Sequence, residues 1–315
     1  MSSNVAELVN TLVQQTSCTA NGRAPAGYHE RMLRQTISRL EKATALDGIS
    51  NRLQSAVQKV AQPRALRDLL HGTWFGHPLH PVLVQVPVGS FMSAAVLDAL
   101  PGQRKAATTL IKVGTASSVP AIAAGLVDWA SLSRDQRRVG LVHATANTIA
   151  LGLYVWSLSA RSDGRWGMGR LLSYAGLSVA GAGAYLGGHL SYHQGAGMNV
   201  AVPQILQLPE DWAEVGEVAA LPEGRPTVRT IAGVRVLLYR HGEEVTAMLE
   251  QCGHQGGPLG EGDVEGSGAD ACVVCPWHGS TFRLVDGVAM HGPASTDQPT
   301  LRTRIQDGVL SIAAP

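Results

Sequence analysis

Four apolar stretches of about twenty residues each, at about 81 to 100, 107 to 129, 139 to 159 and 170 to 190, constrain this chain more than any other feature. A stretch of that length matches the thickness of a hydrocarbon core, where every backbone N–H and C=O must be bonded within the segment, so each is expected to be a helix. The separators Pro101 to Lys105, Ser131 to Arg138 and Arg161 to Arg165 are short enough to make consecutive helices antiparallel neighbours. Charged residues make up 16% of the chain, against roughly 25% in a typical soluble protein, and the deficit falls in this middle third. The small-residue run Ala180 to Ala184 suits close helix contact in lipid. Lys112 and Pro120 weaken the second stretch and leave a soluble bundle as the competing arrangement, but four such stretches in succession favour a four-helix transmembrane domain over 65–200.

An even number of crossings places both termini on one side of the membrane. Arg64, Arg67, Arg134, Arg137 and Arg138 flank the N-terminal face, and Arg104, Lys105, Arg161, Arg165 and Arg170 the opposite one, so the positive-inside rule ties. The first 30 residues lack a basic segment followed by an apolar core and a small-residue cleavage site. The expectation is an integral protein of a bacterial inner membrane, in contact with membrane lipid, with both termini and the C-terminal domain on the cytoplasmic side. Residues 1–64 form an N-terminal region in which Met32, Leu33, Ile37, Leu40, Leu46, Ile49, Leu53, Val57 and Val60 recur at helical spacing, as in one or two amphipathic helices. A net charge of +1 with scattered arginines gives no electrostatic footprint for nucleic acid.

After a linker at 201–209 the texture changes to short apolar runs separated by Gly, Pro and Asp, such as Val234 to Tyr239, Val245 to Leu249 and Val309 to Ile312. This describes an all-β domain over 210–315. Within it, Cys252-Gly253-His254 is followed by Cys275-Pro276-Trp277-His278, two Cys–His pairs on separate loops. A mixed-ligand [2Fe-2S] centre needs two thiolates for one iron and two imidazoles for the other. Structural zinc also takes two cysteines and two histidines, but its common finger spacings pair Cys with Cys and His with His. The four cysteines, at 18, 252, 272 and 275, do not have the regular spacing of a disulfide framework.

With the flanking Gln255-Gly256-Gly257-Pro258-Leu259, Gly279-Ser280-Thr281-Phe282 and Gly292-Pro293-Ala294, these pairs resemble the two binding loops and the covering loop of the Rieske family. The resemblance implies a [2Fe-2S] cluster held by Cys252, His254, Cys275 and His278, with the cysteines on a buried iron and the histidines on an outer iron near solvent. Ser280, Phe282 and Pro293 would surround it. Quinol-oxidising members carry an extra cysteine in each loop, where Gly257 and Trp277 stand here, so no disulfide is expected. They also use a tyrosine where this chain has Phe282. Fewer hydrogen-bond donors imply a potential in the lower or middle part of the roughly −150 to +300 mV Rieske window. Cys272 reads as a buried strand residue and Cys18 as a lone thiol.

Five further histidines, His77, His80, His143, His189 and His193, stand near helix ends on the face shared with the C-terminal domain, with Asp128 and Trp129. Imidazole is a common axial ligand of haem iron, and ionisable residues at membrane depth are costly and often functional. A haem b, a quinone headgroup or a metal ion are candidate ligands, with His143 and His189 as the first pairing. Interfacial histidines bonded to lipid or loop carbonyls are the bland alternative. Leu70 to Pro81, Gly125 to Trp129 and Gly187 to Leu190 resemble a family of four-helix membrane proteins of uncharacterised function, some of them fused to a Rieske domain. Together these readings indicate a membrane-anchored one-electron carrier serving a redox partner protein, or else a quinone- or haem-linked oxidoreductase. A Rieske oxygenase would need a mononuclear iron site downstream, and the chain runs only about 37 residues past His278.

Overall fold

The structure is a computed structural model that describes residues 28–315; Cys18 and the rest of residues 1–27 lie outside the described residues. Helix α1 (Tyr28–Glu41) belongs to a unit of its own, and everything from Thr44 onward forms the second. That second unit opens with α2 (Asp47–Val60) and the short α3 (Arg64–His71), so the helical periodicity over 28 to 60 is realised as two helices.

The bundle follows as α4 (Leu79–Leu83), α5 (Gln85–Ala99), α6 (Arg104–Ala130), α7 (Arg134–Ser162) and α8 (Trp166–Tyr192). Three spans, Leu79–Ala99, Arg104–Ala130 and Arg134–Ser162, are long and apolar enough to cross a membrane. The fourth helix forms over 27 residues but is not among them, which corrects the expectation of four equivalent spans. Its hydropathy is diluted by glycine, serine and tyrosine, and the glycines have a packing role. A Cβ on Gly176 would meet the Tyr154 ring at 3.2 Å and the Ala150 carbonyl at 3.3 Å; one on Gly183 would meet Asn147 at 2.9 Å. One turn further, a Cβ on Gly187 would lie 3.0 Å from His143. Small residues on α8 thus let its backbone lie close along α7. Gly176→Leu is expected to force the two helices apart and cost about 1–3 kcal/mol, the range for overpacking. Gly181→Leu is the control, since nothing lies within 4 Å of that Cβ. Thermal melts in detergent should show the first variant destabilised and the second unchanged or stabilised.

At the end away from the C-terminal domain, Arg161 pairs with Asp98, both side chains 1% exposed. At the near end, α7 starts with a capping box in which the Ser133 side chain accepts from the Gln136 N–H and the Gln136 side chain accepts from the Ser133 N–H.

The β domain comprises β1 (Ala213–Glu217), β2 (Thr227–Ile231), β3 (Val234–His241), β4 (Glu244–Leu249), β5 (Asp263–Glu265), β6 (Cys272–Val274), β7 (Thr281–Arg283), β8 (Ala289–His291), β9 (Thr300–Gln306) and β10 (Val309–Ala313). They form a six-stranded sheet in the order β1-β10-β9-β4-β3-β2 and a four-stranded sheet in the order β5-β6-β7-β8, with antiparallel pairing. Strand β3 reads as a nearly unbroken apolar run because both of its faces are covered. Val234, Val236 and Leu238 enter one core with Leu249, Leu310 and Ile312; Leu237 and Tyr239 enter a second with Phe282, Leu284, Cys252 and Cys275. Cys272 lies on β6 as expected but is only half-buried, because alternation along the strand sends its neighbour Val273 into the second core and Cys272 to the opposite face.

Candidate metal centre

Two loops of identical backbone design carry the candidate ligands. Residues 250–258 connect β4 to β5, and residues 275–280 connect β6 to β7. In the first, the Gly256 N–H donates to the Cys252 carbonyl at 2.8 Å and the Cys252 N–H to the Gly257 carbonyl at 2.8 Å. The second repeats this, from Gly279 N–H to Cys275 carbonyl at 3.0 Å and from Cys275 N–H to Ser280 carbonyl at 2.8 Å. The fourth residue after each cysteine must adopt a left-handed conformation, and both are glycine, with φ of 78° at Gly256 and 75° at Gly279. This curl turns the intervening amides toward the sulfur. Cys252 accepts from the N–H groups of His254 and Gln255, and Cys275 from those of Trp277 and His278.

The cysteines are 1% and 2% exposed, and the His254 and His278 rings stand 5.0 Å apart at 84°. The hydrogen bond with Cys275, then burial, pushes the Cys252 thiol up; the bond from Cys252, with the backbone N–H groups of Trp277 and His278, holds the Cys275 thiol below its ordinary value. Burial, with the neighbouring charges of His278 and His71, lowers His254 to about 3, and burial with the charge of Arg137 lowers His278. Burial thus favours the neutral form of both imidazoles, which has a lone pair to offer a metal. A Cβ on Gly257 would lie 2.7 Å from the Cys275 sulfur, so the position held by cysteine in quinol-oxidising relatives has no room for a side chain here. Two buried sulfurs in an N–H-lined recess beside two neutral imidazoles fit a [2Fe-2S] cluster with mixed ligation.

Three residues expected around the cluster, Ser280, Phe282 and Pro293, are placed as follows. Ser280 is 0% exposed and its hydroxyl accepts from the Ala294 N–H at 3.0 Å, leaving its own proton to donate elsewhere. Phe282 is 0% exposed in the core beside both cysteines. Pro293, preceded by a cis peptide, lies in the loop after β8 and lines a small cleft with His254, Asn199 and Thr296. The two histidines differ in exposure: His278 is exposed beside Trp277, which is 57% exposed, whereas His254 is only half-buried.

The reason for that asymmetry is that the bundle seats against the cluster loops, through residues the sequence reading had not singled out. Gln255 donates to the Gln136 side chain at 2.8 Å, and Gln136 donates to the Gln194 carbonyl at 2.9 Å, so the capping residue of α7 also holds the first ligand loop. Asp68 accepts from His291 Nδ1 at 2.7 Å and from the Gly292 N–H at 2.9 Å. His71, 2% exposed, bonds Asp128 at 2.7 Å directly under Gly292. Sequence places Asp128 on this face and His71 within the Leu70 to Pro81 stretch; Asp68 and His291 carry no periodic or motif signal.

The five bundle histidines do not gather at one point. His77 is exposed and edges onto Phe75, 6.1 Å between rings. His189 stacks on His193 at 4.6 Å, one turn along its own helix. His143 bonds the Gly183 carbonyl at 2.7 Å, and His80 the Ala121 carbonyl at 2.8 Å.

Comparison with known proteins places a Rieske [2Fe-2S] domain at residues 211–302 and a domain described as Predicted membrane protein (DUF2231) at 76–200. The 3-phenylpropionate/cinnamic acid dioxygenase ferredoxin subunit of Escherichia coli (strain K12) is 32% identical over 98 residues, 31% of this chain and 89% of that protein. The Cholesterol 7-desaturase nvd of Drosophila melanogaster is 32% identical over 103 residues, 31% of this chain but only 23% of that protein. Among solved structures, the ferredoxin of carbazole 1,9a-dioxygenase from Nocardioides aromaticivorans IC177 is 21% identical with a TM-score of 0.31, covering 33% of this chain and 98% of that one. The chain belongs to the Rieske [2Fe-2S] family through its C-terminal domain, with a [2Fe-2S] cluster as cofactor, and joins that domain to a predicted membrane protein domain.

Proposed function

We propose that this protein is a membrane-anchored carrier of single electrons in which Cys252, Cys275, His254 and His278 hold the cluster. When bound, the cluster takes up and releases one electron. The protein's own residues do the rest. The amides of residues 254, 255, 277 and 278 offset negative charge on the cysteine sulfurs. Leu259, Phe282 and Leu284 close the inner side to water. His278 and Trp277 offer the exposed edge at which a redox partner protein docks, and relatives named as dioxygenase ferredoxin subunits support a partner of oxidoreductase type. The observation that carries the anchored reading is the pair of clamps, Gln136 on the ligand loop and Asp68 on the covering loop, which fix the cluster loops to the bundle.

In this reading both termini and the Rieske domain face the cytoplasm. Membranes from a bacterial host expressing the full chain are expected to show, after dithionite, an EPR signal averaging near g of about 1.9, the value implied by Rieske membership. Protease added to inside-out vesicles should release the Rieske domain, and protease added to intact spheroplasts should not. A signal that stays with the soluble fraction would sink the anchored reading, and release from spheroplasts would reverse the sidedness.

Phe282 sets the expected potential. A tyrosine there would place a hydroxyl in the core beside both cysteines. Donation by one neutral group is worth about 1 kcal/mol, roughly 40 mV for one electron at 2.3 kcal/mol per 100 mV. Phe282→Tyr is therefore expected to raise the midpoint by a few tens of millivolts in a redox titration followed by EPR.

A further inference from the structure

The bundle repeats one construction twice. Helices α6 and α8 are each 27 residues long and both end on the side of the Rieske domain. In α6 the Ala121 carbonyl bonds His80 Nδ1, and Gly125, four residues on, lies under that ring, where a Cβ would meet Nδ1 at 2.7 Å. In α8 the Gly183 carbonyl bonds His143 Nδ1, and Gly187, again four residues on, lies under that ring, where a Cβ would meet Cε1 at 3.0 Å. Ala121 lies nine residues before Ala130, Gly183 nine before Tyr192, and His143 nine after Arg134. At 1.5 Å rise per residue all three stand about 13 Å from the same ends of their helices. The two imidazoles thus share one depth, His80 against α6 and His143 on α7, which packs beside α6.

The chemistry follows from the bond at Nδ1. A carbonyl only accepts, so Nδ1 carries the proton in both rings, and in the neutral imidazole the lone pair is then on Nε2. Metal-ligating histidines are oriented in this way, with one ring nitrogen donating to a backbone carbonyl and the other free for the metal. Asn147 Nδ2 lies 3.4 Å from His143 Nδ1 and 3.3 Å from its Nε2. A donor equidistant from both ring nitrogens sits over the ring face, not along the Nε2 lone pair. A histidine needed only to tie two helices together would not require a glycine beneath its ring in both copies of the construction.

We propose that His80 and His143 form a second metal-binding site, an imidazole pair that takes one transition-metal ion through Nε2, either as haem iron or as a bare ion. His189 and His193 take no part. The proposal is independent of the cluster assignment.

The test uses the full chain in detergent, titrated separately with haemin and with Co²⁺ and followed by absorption spectra, with metal and acid-labile sulfide measured on the purified protein. One equivalent of haemin or of Co²⁺ is expected to bind, at least tenfold more weakly to His80→Gln and His143→Gln and unchanged in His193→Ala. The cluster EPR signal reports that each variant is folded. Gln retains a donor for the helix carbonyl, so it preserves the tie between helices while removing the imidazole. A haem-type spectrum with haemin alone identifies haem iron, and a cobalt ligand-field spectrum alone identifies the bare-ion site. Binding of neither to the wild type, or binding unchanged in both Gln variants, overturns the proposal. Absence of acid-labile sulfide would overturn the cluster reading instead and leave this pair to its own titration.

Discussion

Cys275→Ser is expected to yield a protein with no acid-labile sulfide and no EPR signal after reduction, the largest functional effect of any single change. Cys275 is 2% exposed and its sulfur, held below the ordinary thiol range, accepts from Cys252 and from two backbone N–H groups. A serine hydroxyl there would be protonated at neutral pH and give a hard oxygen where a soft thiolate is required. The domain still folds in this expectation, because the loop is closed by backbone bonds from Gly279 and to Ser280 that do not involve the sulfur. Circular dichroism should show the β domain retained while iron and sulfide assays fall to background. A Cys275→Ser protein with a full complement of sulfide would remove Cys275 from the ligand set.

Asp98→Ala carries the largest expected effect on stability. The Asp98 carboxylate takes two hydrogen bonds from Arg161, one of them 2.9 Å from Nη1, and its backbone carbonyl accepts from Arg170. Three helices, α5, α7 and α8, thus meet at one acid. Removing it strands the Arg161 guanidinium in a site where that side chain is 1% exposed. Breaking a buried pair by deleting one partner typically costs about 3–5 kcal/mol, whereas replacing both with apolar groups is often neutral. Asp98→Ala should therefore lower the detergent melting temperature sharply, and Asp98→Leu combined with Arg161→Met should recover most of the loss. Equal losses in the single and double variants would show that the pair adds packing, not charge compensation.

Ion pairing does not break the tie in cation count between the two faces of the bundle. Arg161 is spent on Asp98, and Arg138 on Asp47 at 2.7 Å and Asp135 at 2.8 Å. The pairs take one arginine from each face and leave the count even. The fourth stretch reads in sequence as an apolar span and forms a helix, but it is not among the helices apolar enough to cross a membrane, because the glycines at 176, 183 and 187 that lower its hydropathy are the residues that let α7 approach. The histidines were legible as a set and not as pairs. Sequence pairs His143 first with His189, because both fall within apolar helix while His77 and His80 lie among prolines; in the structure His143 bonds the Gly183 carbonyl and His189 stacks on His193.

By itself the sequence determined the candidate ligand set and the helical character of residues 79–192. Each ligand loop is built from six consecutive residues whose glycine at the fifth place allows the curl, and a long apolar segment in lipid has no unbonded alternative to a helix. Tertiary structure alone decided what those elements meet. Asp68 reaches His291 across 223 positions, Gln136 reaches Gln255 across 119 and His71 reaches Asp128 across 57. Such bonds depend on how helices and loops are stacked in space, and hydrophobic periodicity records only which face of an element is buried, not the polar atom waiting on the other side.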